Sequence, residues 1–389
     1  MKVVLTTIGK FHTFDLAREL ERRGALEAIF TAYPHFKLRN EQLPRERVHT
    51  FPWVHTPYMG FRYRPLLGTR LNQWWRHLDS TSFDRHVRKR MPSCDVFVGL
   101  SGSSLRSGKL AQARGAKYVC DRGSSHIRVQ ERLLREEHEH WDMRFEAFDP
   151  RVIDREEAEY GSADCITIPS SFCFRSFVSQ GVSPVKLKRI PYGVDLGRFH
   201  ATATPDPNRF DILFVGGMSL RKGVPYLLQA YEKVQHPNKS LSFAGGPSVE
   251  LMDLMKRRSM WPKDVRLLGH LPQHRLKDVM SRSHAMVLPS IEEGLAMVQA
   301  QALACGCPVI GTQHTGAEDL FEDGKEGYIV PIRQSDEIAH RLQRLADDPE
   351  LRLRMSHAAL DRVKHMGGWR AYGDQVFAAY HDVLRVPGN

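Results

Sequence analysis

The 389-residue sequence predicts an α/β protein made of two Rossmann-like domains, each an open parallel sheet flanked by helices, facing each other across a cleft. Three observations predict it. Short apolar runs alternate with helically spaced patterns from one end of the chain to the other, as parallel strands buried by crossover helices require. A turn-rich segment from Pro191 to Phe210, PYGVDLGRFHATATPDPNRF, divides that alternation into two comparable halves. The length suffices for two full cores, with neither an internal repeat nor a low-complexity tract.

In the first half the strands are expected in KVVLTTI, ALEAIFTAY, DVFVGL, AKYVCD and CITIPS. In the second they are expected in DILFVGG, SLSFAGG, VRLLGHL, HAMVLPS, PVIGT and GYIVPI. We expect domains at 1–195 and 196–368. Residues 369–389 form a last helix, in which Trp369, Tyr372, Val376, Tyr380 and Val383 recur at helical spacing. That helix packs within the second domain or crosses back to the first. Two such domains would place a ligand between them at the carboxyl ends of their strands.

Composition excludes several classes. No apolar run approaches the roughly 20 residues of a membrane span. The start MKVVLTTIGKFHTF reads as the first strand rather than a signal peptide, so a cytoplasmic protein is expected. Cys94, Cys120, Cys165, Cys173, Cys305 and Cys307 show no zinc spacing and read as buried thiols. The net charge of +11 is uneven: residues 1–200 hold 33 Lys and Arg against 23 Asp and Glu, the remainder 23 against 22. Segment 36–90 carries twelve Lys and Arg against four acids, interleaved with Trp53, Tyr58, Phe61, Tyr63, Trp74 and Trp75. One reading of it is contact with an anionic membrane or an acidic glycan; the other is an elaborated helix and loop whose aromatics are core. No nucleic-acid partner is expected.

The most informative stretch is MVLPSIEEGLAMVQAQALACGCPVI, from Met286 to Ile310. It reads as a buried strand, a turn carrying Glu293 and Gly294, and a helix that stops at Gly306. A carboxylate beside a helix N-terminus suits an anionic, hydroxyl-rich ligand, because first-turn amides face phosphate while the carboxylate accepts from hydroxyls. A second turn, FVGGMSLRKGVPYLLQAY, sets Arg221 and Lys222 before a helix, where paired cations can clamp a diphosphate.

These motifs resemble the donor-binding signature of retaining glycosyltransferases of family 4, which have the two-domain GT-B fold. Glu293, Gly294, Leu295 and Ala296 fit its first part; its second glutamate falls on Gln301, a departure. Lys222 and Gly223 match its Lys-Gly pair, and its arginine falls on Gly217, so that Arg221 would have to supply the charge. The resemblance implies that Glu293 accepts from donor-sugar hydroxyls and that the amides of Leu295, Ala296, Met297 and Val298 lie near the sugar and diphosphate. It also implies that Gln301 holds the ribose and that the backbone at His270 and Leu271 frames the base. An amide oxygen at Gln301 still accepts from a hydroxyl but cannot act as a carboxylate nucleophile. His126, after the AKYVCD strand, is expected near the transferred sugar, with Gly9 leaving room for ligand and His12 a weaker candidate. EEAEYGSADCITIPSSF and KRIPYGVDLGRF extend the likeness, with Asp195 expected to be structural.

The implied reaction moves a sugar from a UDP- or GDP-sugar to a hydroxyl of a glycan or lipid-linked acceptor. It proceeds by front-face attack, with the departing diphosphate taking the acceptor proton and fixed cations stabilising it. No D-x-D is present, so neither a metal nor another cofactor is expected. A nucleotide-sugar 2-epimerase and a binding protein without turnover are the alternatives. Family analogy adds attachment to the inner face of the cell membrane.

Overall fold

The computed structural model describes residues 1–61, 68–262 and 264–385. Its first sheet contains β1 (Val3–Thr7), β2 (Leu26–Thr31), β3 (Val48–Thr50), β4 (Val96–Leu100), β5 (Lys117–Asp121), β6 (Cys165–Ile168) and β7 (Leu187–Arg189). They pair in the order β3-β2-β1-β4-β5-β6-β7, every pair parallel. The second contains β8 (Phe210–Val215), β9 (Lys239–Ala244), β10 (Val265–Gly269), β11 (Ala285–Leu288), β12 (Val309–Thr312) and β13 (Gly327–Val330). Their order is β10-β9-β8-β11-β12-β13, again parallel throughout. Strand order reverses beside β1 and beside β8, and such switch points leave a crevice at the strand ends.

The helices of the first half are α1 (Thr13–Arg22), α2 (His55–Gly60), α3 (Thr69–Arg90), α4 (Leu105–Ala113), α5 (Ile127–His140), α6 (Pro150–Ser162) and α7 (Ser171–Val178). Those of the second are α8 (Val224–Lys233), α9 (Val249–Arg257), α10 (Gln273–Arg282), α11 (Met297–Ala304), α12 (Ser335–Asp347), α13 (Pro349–Met366) and α14 (Gly368–Arg385). Among the described residues no helix is long and apolar enough to cross a membrane.

Sequence and structure agree on the central strands, which are apolar because both sheet faces are covered. β1 and β11 are buried at every residue. Two strands escaped the sequence reading. β3 is VHT and β7 is LKR, three-residue strands at opposite edges of the first sheet, where polar and charged residues are tolerated. The stretch between Arg189 and Phe210 contains neither helix nor strand.

The last helix crosses back. α14 turns Tyr372, Val376, Tyr380 and Val383 inward and runs along α1, with an ion pair between Arg23 and Asp374. A Cβ on Gly193, in the connection between the sheets, would overlap the backbone of Gly368, so that connection and the start of α14 are in direct contact.

In segment 36–90 the aromatics divide between core and surface. Tyr58 is buried and Trp75 half-buried, whereas Trp53 is 76% and Trp74 52% exposed. Tyr63 lies outside the described residues.

Candidate active site

The site is built first from turns at the carboxyl ends of β8, β9 and β11. A Cβ on Gly245 would overlap the Gly216 carbonyl oxygen, so the turns after β8 and β9 touch. Gly223, at φ +66° and just before α8, lies against the Pro289 carbonyl in the same manner. Any side chain there would both strain the backbone and push the β8 and β11 turns apart. These approaches carry Arg221 and Lys222 to the loop 289–296.

In that loop two adjacent acids face the pair of cations, Arg221 lying 2.9 Å from Glu292 and 4.0 Å from Glu293. Glu293, which is 9% exposed, pairs with Lys222. Glu292 has no exposed surface; its Oε2 lies 2.9 Å from Arg221 Nη2, and its carbonyl accepts from Arg221 Nε at 3.0 Å. Burial works against the Arg221 charge, but Glu292 and Glu293 together hold its pKa above the ordinary arginine value. Arg221, expected to stand in for the arginine absent at Gly217, is held by Glu292 with part of its guanidinium still exposed, and Lys222 pairs with Glu293 beside it. Gly217 itself is exposed, with no heavy atom within 4 Å of a Cβ placed on it.

The loop is braced from both sides. The Glu293 amide donates to the His314 carbonyl and the Ala296 amide to the Thr315 carbonyl, each at 3.1 Å. The Ala296 amide is thus engaged within the protein, which corrects its expected place among the phosphate-facing amides. Leu295 is buried at 7% exposure. Ser170 donates to the Gly294 carbonyl at 2.6 Å, and a Cβ on Gly294 would overlap the Gly123 carbonyl oxygen. Glycine at 294 is what allows the loop to close on the first half. In α11, Val298 packs partly on the core, while Met297 and Gln301 face the cleft.

That cleft holds a cavity of about 660 Å³. Its first-half wall is Lys10, Phe11 and His12 after β1, Ser101 after β4, and Arg122, Gly123 and Ser124 after β5. Gly9 acts on it indirectly, since a Cβ there would overlap the Phe11 ring. Nε2 of His12 hydrogen-bonds Oδ2 of Asp121 at 2.6 Å, and the ring stacks on Tyr192 at 4.2 Å. Trp369, from α14, and Asp195 complete the wall. Asp195 accepts from the amides of Gly197 and Arg198, so it braces its turn as expected and faces the cleft as well.

His126 is the clearest displacement from expectation. It is 3% exposed, caps α5 by accepting from the Arg128 amide at 3.3 Å, and lies between the rings of Tyr160 and Phe177. Burial pushes its pKa down to about 4. The backbone at the β5–α5 junction turns this side chain into the core, and His12 takes the place in the cleft wall. His270 is exposed and Leu271 half-buried at the carboxyl end of β10, in the connection whose Gln273 lines the cavity. Among the described residues no group of three His, Cys, Asp or Glu side chains is placed to hold a metal. The six cysteines are free thiols.

Residues 198–362 match the family of glycosyl transferases group 1. Over that stretch the chain is similar to the family, and the stretch contains the β8 and β11 turns, the Arg221–Lys222 pair and the 289–296 loop. Over 176 residues the chain is 30% identical to the alpha-D-kanosaminyltransferase of Streptomyces kanamyceticus, a match covering 44% of this chain and 45% of that protein. It is also 30% identical over 185 residues to a D-inositol 3-phosphate glycosyltransferase of Corynebacterium kroppenstedtii, covering 45% and 41%. The chain thus spans about half the length of these curated relatives. In fold the likeness covers the whole chain. Sucrose-phosphate synthase from Thermosynechococcus elongatus superposes with a TM-score of 0.77 at 19% identity, over 99% of both chains. Anabaena HepE in complex with UDP and glucose superposes at 0.71 and 17%, over 98% of this chain and 100% of that one. The two-domain GT-B architecture takes in both sheets, beyond residues 198–362.

Proposed function

We propose that the protein is a retaining glycosyltransferase of the family 4 type, moving a sugar from a UDP- or GDP-sugar to a hydroxyl of a glycan or lipid-linked acceptor. The observation that carries this reading is the meeting of Lys222 and Glu293 at the β8 and β11 strand ends, just before α11, whose Met297 and Gln301 line the cleft across from the first-half wall. HepE holds UDP and glucose on the same fold, which supports a nucleotide sugar as donor.

In this reading the diphosphate lies against Lys222 and the first turn of α11, and Glu293 accepts from sugar hydroxyls. The acceptor oxygen attacks the anomeric carbon on the face from which the diphosphate departs. The bond from carbon to diphosphate oxygen breaks, its electron pair goes to the diphosphate, and that group takes the acceptor proton. Lys222 stabilises the charge that develops, without a metal ion. Gln301, facing the cavity, binds the ribose as a neutral acceptor.

Isothermal titration with UDP and GDP, followed by hydrolysis and transfer assays, tests the reading. Lys222→Ala and Glu293→Ala should each lower transfer by roughly a hundredfold or more while circular dichroism stays unchanged. EDTA should leave the rate unaltered. Nucleotide binding with neither hydrolysis nor transfer would favour the binding protein, and isomerised nucleotide sugar the epimerase.

Contact with an anionic membrane belongs to the same proposal. Leu71, Trp74 and Leu78 form an exposed stripe along the first half of α3, next to Arg70 in sequence. An exposed apolar stripe on a basic segment suits the interface of a negatively charged leaflet.

A further inference from the structure

Glu292 is fully buried, yet it draws its partners from both domains. Oε1 accepts from the Ser125 amide at 3.1 Å and the Ser125 hydroxyl at 2.7 Å; Oε2 accepts from Gln130 Nε2 at 2.9 Å and pairs with Arg221. Ser125 and Gln130 belong to the β5–α5 region of the first domain, 167 and 162 residues away in sequence. Gln130 in turn accepts from Arg122 Nη2 at 2.9 Å, and Arg122 lines the cleft. A continuous polar chain therefore runs from the first-domain wall, through Gln130 and Glu292, to Arg221 at the start of the second domain's cation turn.

The energetics of such a group favour a reversible contact. A buried ion pair nearly balances its own desolvation, whereas removing part of its coordination leaves a charge short of partners. Here burial opposes the Glu292 charge, but Arg221, Ser125 and Gln130 outweigh it and hold the carboxyl below its usual pKa. Were the domains to part, Ser125 and Gln130 would leave together, and the carboxylate would have to recover its hydration. Glu292 can be satisfied while dry only if the first domain is seated on the 292–294 turn. That turn is also where Gly294 meets Gly123 without space for a side chain.

We propose that Glu292 is a positioning residue that senses closure of the cleft through Ser125 and Gln130 and fixes Arg221, and with it the turn bearing Glu293, in the geometry the donor requires. It acts through these neighbours. The donor clause rests on the proposed function; the closure clause does not.

The test uses the full-length protein with Glu292→Gln, Ser125→Ala and the two combined. Small-angle scattering without nucleotide reads closure directly. Both single variants should have a larger radius of gyration than the parent, Glu292→Gln the more so, and the double variant should be no more open than Glu292→Gln, since Ser125 acts through that carboxylate. If the parent binds UDP or GDP, saturating nucleotide should draw the variants back toward the parent's dimensions. For the donor sugar kcat should fall by roughly tenfold to a hundredfold, as a misplaced constellation does, with nucleotide Kd nearly constant. Parent-like dimensions in both single variants would overturn the proposal, as would additive effects in the double variant or a loss of nucleotide affinity without opening. Should Glu292→Gln fail to fold, Ser125→Ala alone decides, because it leaves the second domain intact. A parent that binds neither UDP nor GDP would remove the donor reading while the scattering comparison still judges closure.

Discussion

Gln301 faces the cavity at the position where the family carries a second glutamate, so its neutral side chain tests what the charge contributes. If ribose binding needs only an acceptor oxygen, Gln301→Glu should transfer sugar within a few-fold of the parent, measured as kcat/KM for the donor. A large loss would show that neutrality is required. Two buried histidines make a separate prediction. His126 and His284 are 3% and 4% exposed, and burial pushes each pKa down to about 4. Both stay neutral in the native state, whereas the unfolded chain takes up protons below about pH 6.5. Stability should therefore fall as pH drops from about 6.5 to about 4, by up to about 3 kcal/mol for each histidine. Urea unfolding at a series of pH values measures this, and His126→Asn, which keeps a capping acceptor, should reduce the slope. At this scale the sequence exposed Glu293, Gly294 and Lys222 because their spacing is local. It misdirected His126 because the direction of a side chain at a strand–helix junction depends on the packing of Tyr160 and Phe177. Glu292 escaped because its first-domain partners are more than 160 residues away, and two consecutive glutamates look like a single acidic turn.

Among the elements α14 carries the heaviest structural duty. Its Tyr380 is 1% exposed in a face buried against the first domain, so Tyr380→Ala leaves a large cavity. The expected loss is about 3–5 kcal/mol by chemical denaturation, with nucleotide affinity unchanged in the fraction that remains folded. Helical spacing revealed the apolar face of α14 but not which domain receives it, since either sheet could cover such a face. The central strands were legible for the opposite reason: burial on both sides demands an apolar run that polar segments cannot imitate. β3 and β7 were not, because an edge strand of three residues carries almost no pattern.

Across the whole molecule the two domains meet through buried carboxylates. Besides Glu292, Glu137 of α5 has no exposed surface and pairs with Arg333 at 2.8 Å. Asp319 accepts from the Ser171 amide and hydroxyl at 2.7 and 2.8 Å and pairs with Arg189. Contacts of this kind specify an orientation more than they add stability. Charge is organised at the same scale, with nearly all the excess of basic residues in the first 200. Sedimentation with vesicles tests its use. The protein should bind phosphatidylglycerol vesicles and not phosphatidylcholine vesicles, salt should weaken the binding, and Trp74→Ala should reduce it. Equal binding to both lipids, or none, would remove the membrane from the proposal. The sequence announced this asymmetry, but which aromatics reach the surface became visible only in the packing of α2 and α3.

The return of α14 to the first domain also fixes an order of events during synthesis. The first 200 residues leave the ribosome early, yet the face of the first domain along α1 has no cover until the final helix brings Tyr372, Val376 and Tyr380 to it. The second domain, whose sheet is complete by Val330 and whose helices end with α13 at Met366, can fold while the chain is still being extended. The first domain cannot finish until Arg385 has emerged. The half of the protein made first is therefore completed last, and a chain that stops short of α14 would leave the ribosome with a finished second domain beside a first domain that lacks its closing helix.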